Sequence, residues 1–518
     1  MPRNQLFWPS ADSIVRISAL LFASSALVWG ASCPAQGQTS RGAIPSAALD
    51  FGVFPVNGSS PTQSMTFVFQ QTETLSLVRV GAAGIHGVEF KNLGGTCQVG
   101  STYSQNQQCT VEIAFCPTFV GDLHGYVSLS DTTGHVIATG FVHGVGGGSQ
   151  LIFPPGAGQQ VSNIPAQFLA TDSYNRVYAT RSIGTTENSA VYLIDAKGDS
   201  RELYEVPNVI RGIAIDGALD IYLLFGDSVQ KIAPDGSMTN IQLLPANGTN
   251  APGQAMTADG SGNVYVTVGG TIQRIAPDGT VSIVSSGWGD EPFAVNINAL
   301  IVSNNGTLLY SLDIGNPGDE PTRGRVYQQT LGGGQPTIVY DGGESFVISS
   351  LAQQADGTLL VEGGGSVIQN GTPSIPVIPV SLGNLTIASS GDVYYAAYPT
   401  YPGISVLYKL SRSIPPGLFF APTSEGQTVD ATFAMMNSGN QPLAFTAPQI
   451  TGLNASSFHM QSTTCDAQTG LLPGATCTVT VSFSSSQSGQ QTASWISYPS
   501  DPVYGGTPVN VLLQATNP

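Results

Sequence analysis

Carboxylates set among glycines are the residues of this chain best placed to do chemistry. Asp172, Asp216, Asp259, Asp313 and Asp356 fall along its middle region, residues 150–412, and Asp216, Asp259 and Asp356 stand directly before Gly. Oxygen ligands of this kind hold calcium when several converge. An Asp-Gly turn also has a purely backbone explanation: Asp bonds its own turn and Gly supplies positive φ. The expectation for the recurring acids is therefore turn formation. A separate candidate is the insertion Gly315-Asn-Pro-Gly-Asp-Glu-Pro-Thr-Arg-Gly324, where Asp313, Asn316, Asp319 and Glu320 are placed to gather around calcium, the alternative being a solvated loop. Aromatic candidates are Trp288 with Asp290, and Tyr395, Tyr398 and Tyr401, because exposed rings stack on sugars or fill partner pockets.

Imidazole and thiolate chemistry is confined to the flanks. All five His, at 86, 124, 135, 143 and 459, lie outside residues 150–412, which contain no Cys. A general base or zinc site built on His is not expected there. In the first flank, a tight turn at Asp131-Thr-Thr-Gly134 predicts His143 opposite Asp122 and diagonal to His124. Cys97 and Cys109 are 12 apart, as are Cys465 and Cys477, which predicts two equivalent disulfides and leaves Cys116 as a free thiol.

These residues need elements to hold them. Ser228-Val-Gln-Lys-Ile-Ala-Pro-Asp-Gly236 and Thr271-Ile-Gln-Arg-Ile-Ala-Pro-Asp-Gly279 are near copies 43 residues apart, each reading as strand, turn, strand. An apolar strand, a polar turn and a Val-Tyr-like strand recur six times, beginning at Phe168, Ile213, Ala255, Leu300, Leu351 and Leu385. Six copies predict six blades, and closure of the ring needs Gln150-Leu-Ile-Phe153 or the next strand to complete the last sheet.

Adding 368 to Phe51, Phe90, Cys97, Cys109, Phe115 and Gly121 gives Phe419, Phe458, Cys465, Cys477, Phe483 and Gly489. The two ends of the chain therefore repeat one domain type, with alternating runs such as Thr110-Val-Glu-Ile-Ala-Phe115 that suit a β-sandwich.

Composition bounds the rest. At 518 residues, several cores are required. With 62 Gly, 34 Pro and only 9% charged residues, an all-β protein is expected. A formal charge of −17 repels phosphate, which excludes nucleic acid as a partner. Arg3 and Arg16 precede the apolar run Ile17–Trp29, with small residues at Ala31, Ser32 and Ala35, the layout of a signal peptide over residues 1–37; acylation of Cys33 is the alternative. No later transmembrane segment is expected, so the predicted location is secreted, periplasmic or cell-surface.

Two resemblances bear on function. Cys109-Thr-Val-Glu-Ile-Ala-Phe-Cys-Pro-Thr-Phe-Val-Gly121 resembles the immunoglobulin-like domains of Hydin and choice-of-anchor type, and Cys477–Gly489 resembles them too, with Ser485 where the family has Pro. Asp259-Gly-Ser-Gly-Asn-Val-Tyr265 resembles NHL-repeat propellers and their streptogramin-lyase and gluconolactonase-like relatives. The expected fold is all-β: an immunoglobulin-like sandwich at 45–146, a six-bladed NHL-like propeller at 150–412 and a second sandwich at 415–518. The leading functional expectation is a non-enzymatic scaffold at the cell envelope engaging a protein or polysaccharide, with no cofactor apart from calcium in the insertion. The alternative is a propeller hydrolase or lyase acting on small lactones or glycans, which a cluster of acids and amides at the channel mouth would favour.

Overall fold

In the computed structural model the Val-Tyr segments become the second strands of antiparallel sheets arranged as a β-propeller. The structure describes residues 42–517 apart from 83–84, 87–88, 155–156, 173–175, 184–186, 196–197, 246–254, 287–293, 315–322, 345, 364–365, 370–371, 376–383, 398–404, 423 and 425. The signal segment and Cys33 lie outside the described residues. Every described regular element is a strand except one short 3-10 turn, and no described helix is long and apolar enough to cross a membrane.

The first five ring sheets run inward to outward in chain order. The first holds Leu169–Thr171, Val177–Ile183, Glu187–Ile194 and Ser200–Val206; the second holds Gly212–Ile215, Ile221–Phe225, Ser228–Ile232 and Met238–Gln242. The third holds Met256–Ala258, Val264–Val268, Thr271–Ile275 and Val281–Ser286. Leu300–Val302, Thr307–Ile314, Arg323–Thr330 and Thr337–Glu344 form the fourth, and Ile348–Gln353, Leu359–Gly363, Ser366–Gln369 and Thr372–Ile375 the fifth. In the last sheet Leu385–Ile387, Val393–Ala397 and Val406–Ser411 are completed by Ala157–Pro165, far earlier in the chain, with Gln160 opposite Tyr408.

Period-two alternation explains why second strands are apolar on both faces. Val264 and Val266 pack back onto Tyr222 and Leu224 of the second sheet, while Tyr265 packs forward with Leu308 and Tyr310 of the fourth. Each sheet thus shares a core with both neighbours, and the inner edges that remain are short and face the channel.

Leu151–Ile152 does not close the ring. It pairs with Met436 and Asn437 in the carboxy-terminal region, so the chain leaves the first flank, adds a strand to the second, and only then enters the propeller. The Gly144–Ser149 stretch is likewise pinned: the strand Val136–Gly147 runs through it, and Gly148 N–H donates to Asn440 Oδ1 at 2.9 Å.

Both flanks are pairs of sheets around one core. In the first, Ala43–Pro45, Gln63–Phe69, Gln108–Phe115 and Phe90–Gly94 face a sheet containing Leu49–Pro55, Val136–Gly147, Gly121–Asp131 and Glu73–Ala82. In the second, Leu151–Ile152, Val429–Asn437, Thr476–Phe483 and Phe458–Thr463 face Leu418–Phe419, Val509–Asn517, Gly489–Ser497 and Gln449–Thr451. Both disulfides form, with Cα–Cα distances of 4.8 and 5.0 Å, and each contributes about 2–3 kcal/mol for a loop of this length. Cys116 is a buried free thiol.

The offset of 368 fails at one position. Phe51 packs its ring on Phe90 and Phe115, but Phe419 is 67% exposed and Phe420 makes the equivalent contacts with Phe458 and Phe483. A one-residue slip in a strand exchanges its faces, so the core aromatic moves to the next position. Gly121 and Gly489 remain equivalent, with φ of 104° and 93°.

Candidate functional site

The site is built from the turns that join each inner strand to the second. One pattern recurs around the ring: Asp259 N–H donates to the Asn263 carbonyl and Gly262 N–H to the Asp259 carbonyl, and Asp216, Ser303, Gln354 and Ala388 head the same arrangement. Asp172, Asp216 and Asp259 occupy its first position. Asp259 Oδ1 accepts from Ser261 N–H at 2.9 Å and Asn263 N–H at 2.8 Å, and Oδ2 accepts the Tyr265 hydroxyl at 3.1 Å. Asp216 repeats this with Ala218, Asp220 and Tyr222. These carboxylates are spent on their own turns and on a Tyr six residues later.

Asp356 and Asp313 are different. Asp356 sits third in its turn and accepts from Thr358. Asp313 is not in a turn at all: it belongs to the strand Thr307–Ile314, near the end of the ring away from the turns.

The first flank is seated over the turn end. An added Cβ on Gly217 would lie 2.8 Å from the Gly125 carbonyl, and one on Gly260 would lie 2.5 Å from His143 Cβ, so this close approach requires glycine at both places. His143 stands opposite His124, with Val145 opposite Asp122, rather than His143 opposite Asp122. The turn is one residue longer than predicted, Asp131 bonding His135, and a bulge between Val136 and Ala138 adds a second shift. His124 Nε2 meets Asp122 Oδ2 at 2.9 Å. Burial works against the His124 charge, but Asp122, with Asp259 and Asp216 of the ring turns beyond it, holds its pKa above the ordinary value. Asp122 is lowered although burial opposes it, through the charge and hydrogen bond of His124 and the charge of His143.

Part of the second flank reaches the same end. Asp356 N–H donates to the Ser438 carbonyl at 3.1 Å, and Gln150 Nε2 reaches the Ser389 carbonyl at 2.5 Å. Between the flanks and the turns lies a cavity of about 210 Å³ lined by Asp122, His124, Gln150, Asn304, Gln354 and Ser389, among others.

The channel itself is a cavity of about 330 Å³ walled by the inner strands. Its lining includes Thr171, Thr257, Asn298, Ser350, Asn384 and Thr386, which makes a polar bore suited to hydroxyl-bearing molecules. Behind Asn298 lies Asp313, whose Oδ2 accepts from Asn298 Nδ2 at 2.5 Å and whose Oδ1 accepts from Ile348 N–H at 3.3 Å. Burial pushes the Asp313 carboxyl up to about 6. Glu362, also buried, accepts the Ser349 hydroxyl, so the two acids bracket the start of Ile348–Gln353.

The aromatic and calcium candidates fare unevenly. Tyr395 is buried, its ring 5.6 Å from that of Tyr408, and it packs between sheets rather than presenting a face. Trp288, Asp290, Tyr398, Tyr401, Asn316, Asp319 and Glu320 lie outside the described residues. Sequence reasoning missed the pairing of Asp313 with Asn298, and Gln354. For Gln354 the signal was available, since the first turn position reads Asp, Asp, Asp, Ser, Gln, Ala around the ring.

No family model matches the chain, and no curated protein matches it. Solved structures do. A gluconolactonase of Xanthomonas campestris is 15% identical with a TM-score of 0.34, over 50% of this chain and 98% of that one. The calcium-binding protein regucalcin of Agrobacterium tumefaciens is 12% identical with a TM-score of 0.36, over 50% and 94%. The extracellular domain named for a one-component system of B. thetaiotaomicron is 13% identical with a TM-score of 0.35, over 66% of this chain and 41% of that one. The propeller rests on the sheets and their pairing, not on these likenesses.

Proposed function

We propose that this chain is an exported hydrolase of small polyhydroxylated lactones, built as a six-bladed propeller between two immunoglobulin-like sandwiches. The observation that carries the reading is the Asn298–Asp313 pair beside a polar channel of about 330 Å³. Two disulfides fit an oxidising compartment. In this reading a substrate hydroxyl or carbonyl bonds Asn298, and the Asp313 carboxylate takes a proton from the water that adds to the lactone carbonyl. The ring oxygen then leaves and receives that proton, giving the hydroxy acid. Among the described residues no three His, Cys, Asp or Glu side chains gather as a metal site, so no step is given to a metal.

The test is acid release by the full chain from a panel of aldonolactones, followed with a pH indicator. Asp313→Asn should lower the rate by about 100-fold or more, the usual scale for general-base loss. Because burial raises Asp313 to about 6, the wild-type rate should climb with pH through that value as the base ionises, and then level. Hydrolysis unchanged in Asp313→Asn would remove the reading.

A second reading is favoured by the engagement of Asp313: both its carboxylate oxygens already accept hydrogen bonds from the protein. In that reading the chain is a non-enzymatic scaffold that binds protein or polysaccharide, with Trp288, Tyr398 and Tyr401 as aromatic contacts, Asp290 beside Trp288, and Asn316, Asp319 and Glu320 as a calcium loop. No lactone turnover together with a positive glycan array would select it.

A further inference from the structure

The first flank reaches into the lining of the channel. Its strand Gly121–Asp131 lays Asp122 and His124 over the turn end of the ring, where both side chains line the channel of about 330 Å³ and the cavity of about 210 Å³ beside it. Among the described residues that wall the channel they are the only ionisable side chains. Both are open to solvent, His124 keeping 24% of its side-chain surface and Asp122 29%.

Close packing seats this flank on the ring. Gly125 lies against Gly217, His143 against Gly260 and the Phe141 ring against Gly262, and none of these three flank residues makes a hydrogen bond or ion pair to the ring. The polar tie runs to the second flank instead: Asn440 Oδ1 accepts from Gly148 N–H, and Asn440 Nδ2 donates to the Gly146 carbonyl at 3.0 Å. Gly146, Gly147 and Gly148 are consecutive there, so the backbone has the freedom of a hinge.

Charge is what can change at the seat. On its own strand His124 bonds Asp122, and Tyr126, with Arg79 beside it, follows on the same face. On the next strand His143 stands opposite, 3.7 Å from Asp50. From the ring, Asp216 and Asp259 face His124 and help to hold its proton. The cations behind these turns are engaged: Lys231 is 2.5 Å from Asp220, Arg176 is 2.6 Å from Asp172, and Arg274 lies by Tyr265. The fifth turn and the second flank bring Gln353, Gln354, Gln150 and Ser438, none of them ionisable. One imidazolium therefore stands between carboxylates of two domains. Without its proton, Asp122 is left facing Asp259 and Asp216 as like charges, and Asp216 adds to the repulsion as it ionises through about 7.

We propose that the first sandwich is a proton-controlled cap on the channel, seated while His124 is an imidazolium and lifted from the turn end about the Gly146–Gly148 hinge when that proton is lost. Lifting opens the bore at its turn end. The cap governs access and stands whether or not the channel hydrolyses lactones.

The test is a distance measured in the full chain without substrate. Thr132→Cys on the exposed tip of the flank hairpin and Thr239→Cys on the outer strand of the second ring sheet carry spin labels, Cys116 being buried. Pulsed electron resonance should give one narrow distance at about pH 5.5 and an added, longer population at about pH 8.5, on either side of the ordinary imidazole value. His124→Gln should show the longer population at both values, and Asp122→Asn, which removes the repulsion, the short distance at both. His459→Gln, in the second flank, should respond as wild type. One unchanged distance in the wild type overturns the proposal, as does a wild-type pH response in either His124→Gln or Asp122→Asn.

Discussion

The first three turns of the ring and the last three are made from one plan with different chemistry. In the first three an Asp closes its own turn and takes the hydroxyl of Tyr178, Tyr222 or Tyr265. In the last three, Ser303, Gln354 and Ala388 hold the first position, and where Ser or Gln replaces Asp the Tyr is replaced as well, by Leu309 and Leu360. A carboxylate is kept only where a hydroxyl is provided for it. Acids repeated in register are therefore structural, and the departures mark where side chains are released for other uses.

The largest break in this comparison should come from Asp259→Ala. It strands two turn N–H groups and the Tyr265 hydroxyl, and should cost about 3 kcal/mol or more in chemical denaturation. Gln354→Met removes no bond from its turn and should leave stability unchanged or raise it by about 1 kcal/mol, measured the same way. Equal losses in the two variants would erase the distinction.

Asp216 offers a test by pH. Burial, with the Asp220 charge beside it and Lys231 opposing, pushes its carboxyl up to about 7. An acid raised in the folded state binds its proton there first, so its contribution is complete below the unfolded pKa and is lost as pH rises through about 7. His124, also raised, has the same sign: its pairing with Asp122 is present below the ordinary His pKa and fades as pH climbs through the folded value. Wild-type Tm should therefore fall as pH goes from about 5 to about 8, following the carboxylate and imidazole reference values. Asp216→Asn keeps an oxygen for the turn and should flatten part of that fall. A wild-type Tm constant over the range would contradict the assignment.

The smallest effect is at Leu219, which holds φ of 67° where Gly262, Gly306, Gly357 and Gly391 occupy the same turn position. Leu219→Gly should relieve that strain and gain about 0.5–1 kcal/mol.

Much of this architecture is legible in the residues because it is local. The Val-Tyr period, the Asp-Gly turns and the two Cys pairs all arise from contacts within one hairpin or one sheet. The failures are long-range or depend on one residue of register. Phe420 and not Phe419 faces the core, a one-residue shift in its strand, and His143 faces His124 because the length of the turn decides the pairing downstream. That Gly217 accepts the Gly125 backbone and Gly260 the His143 side chain could not be read from their turns, whose positive φ falls two residues later, at Leu219 and Gly262.

The strand Ala157–Pro165 is the one that makes the ring complete, and its mate Val406–Ser411 lies near the far end of the propeller sequence. A ribosome makes the earlier strand first, so it waits as an open seam until almost the whole ring has been synthesised. Joining segments so remote along the chain is slow, so the ring closes only late in folding. Truncation anywhere before Val406 leaves that seam unsewn.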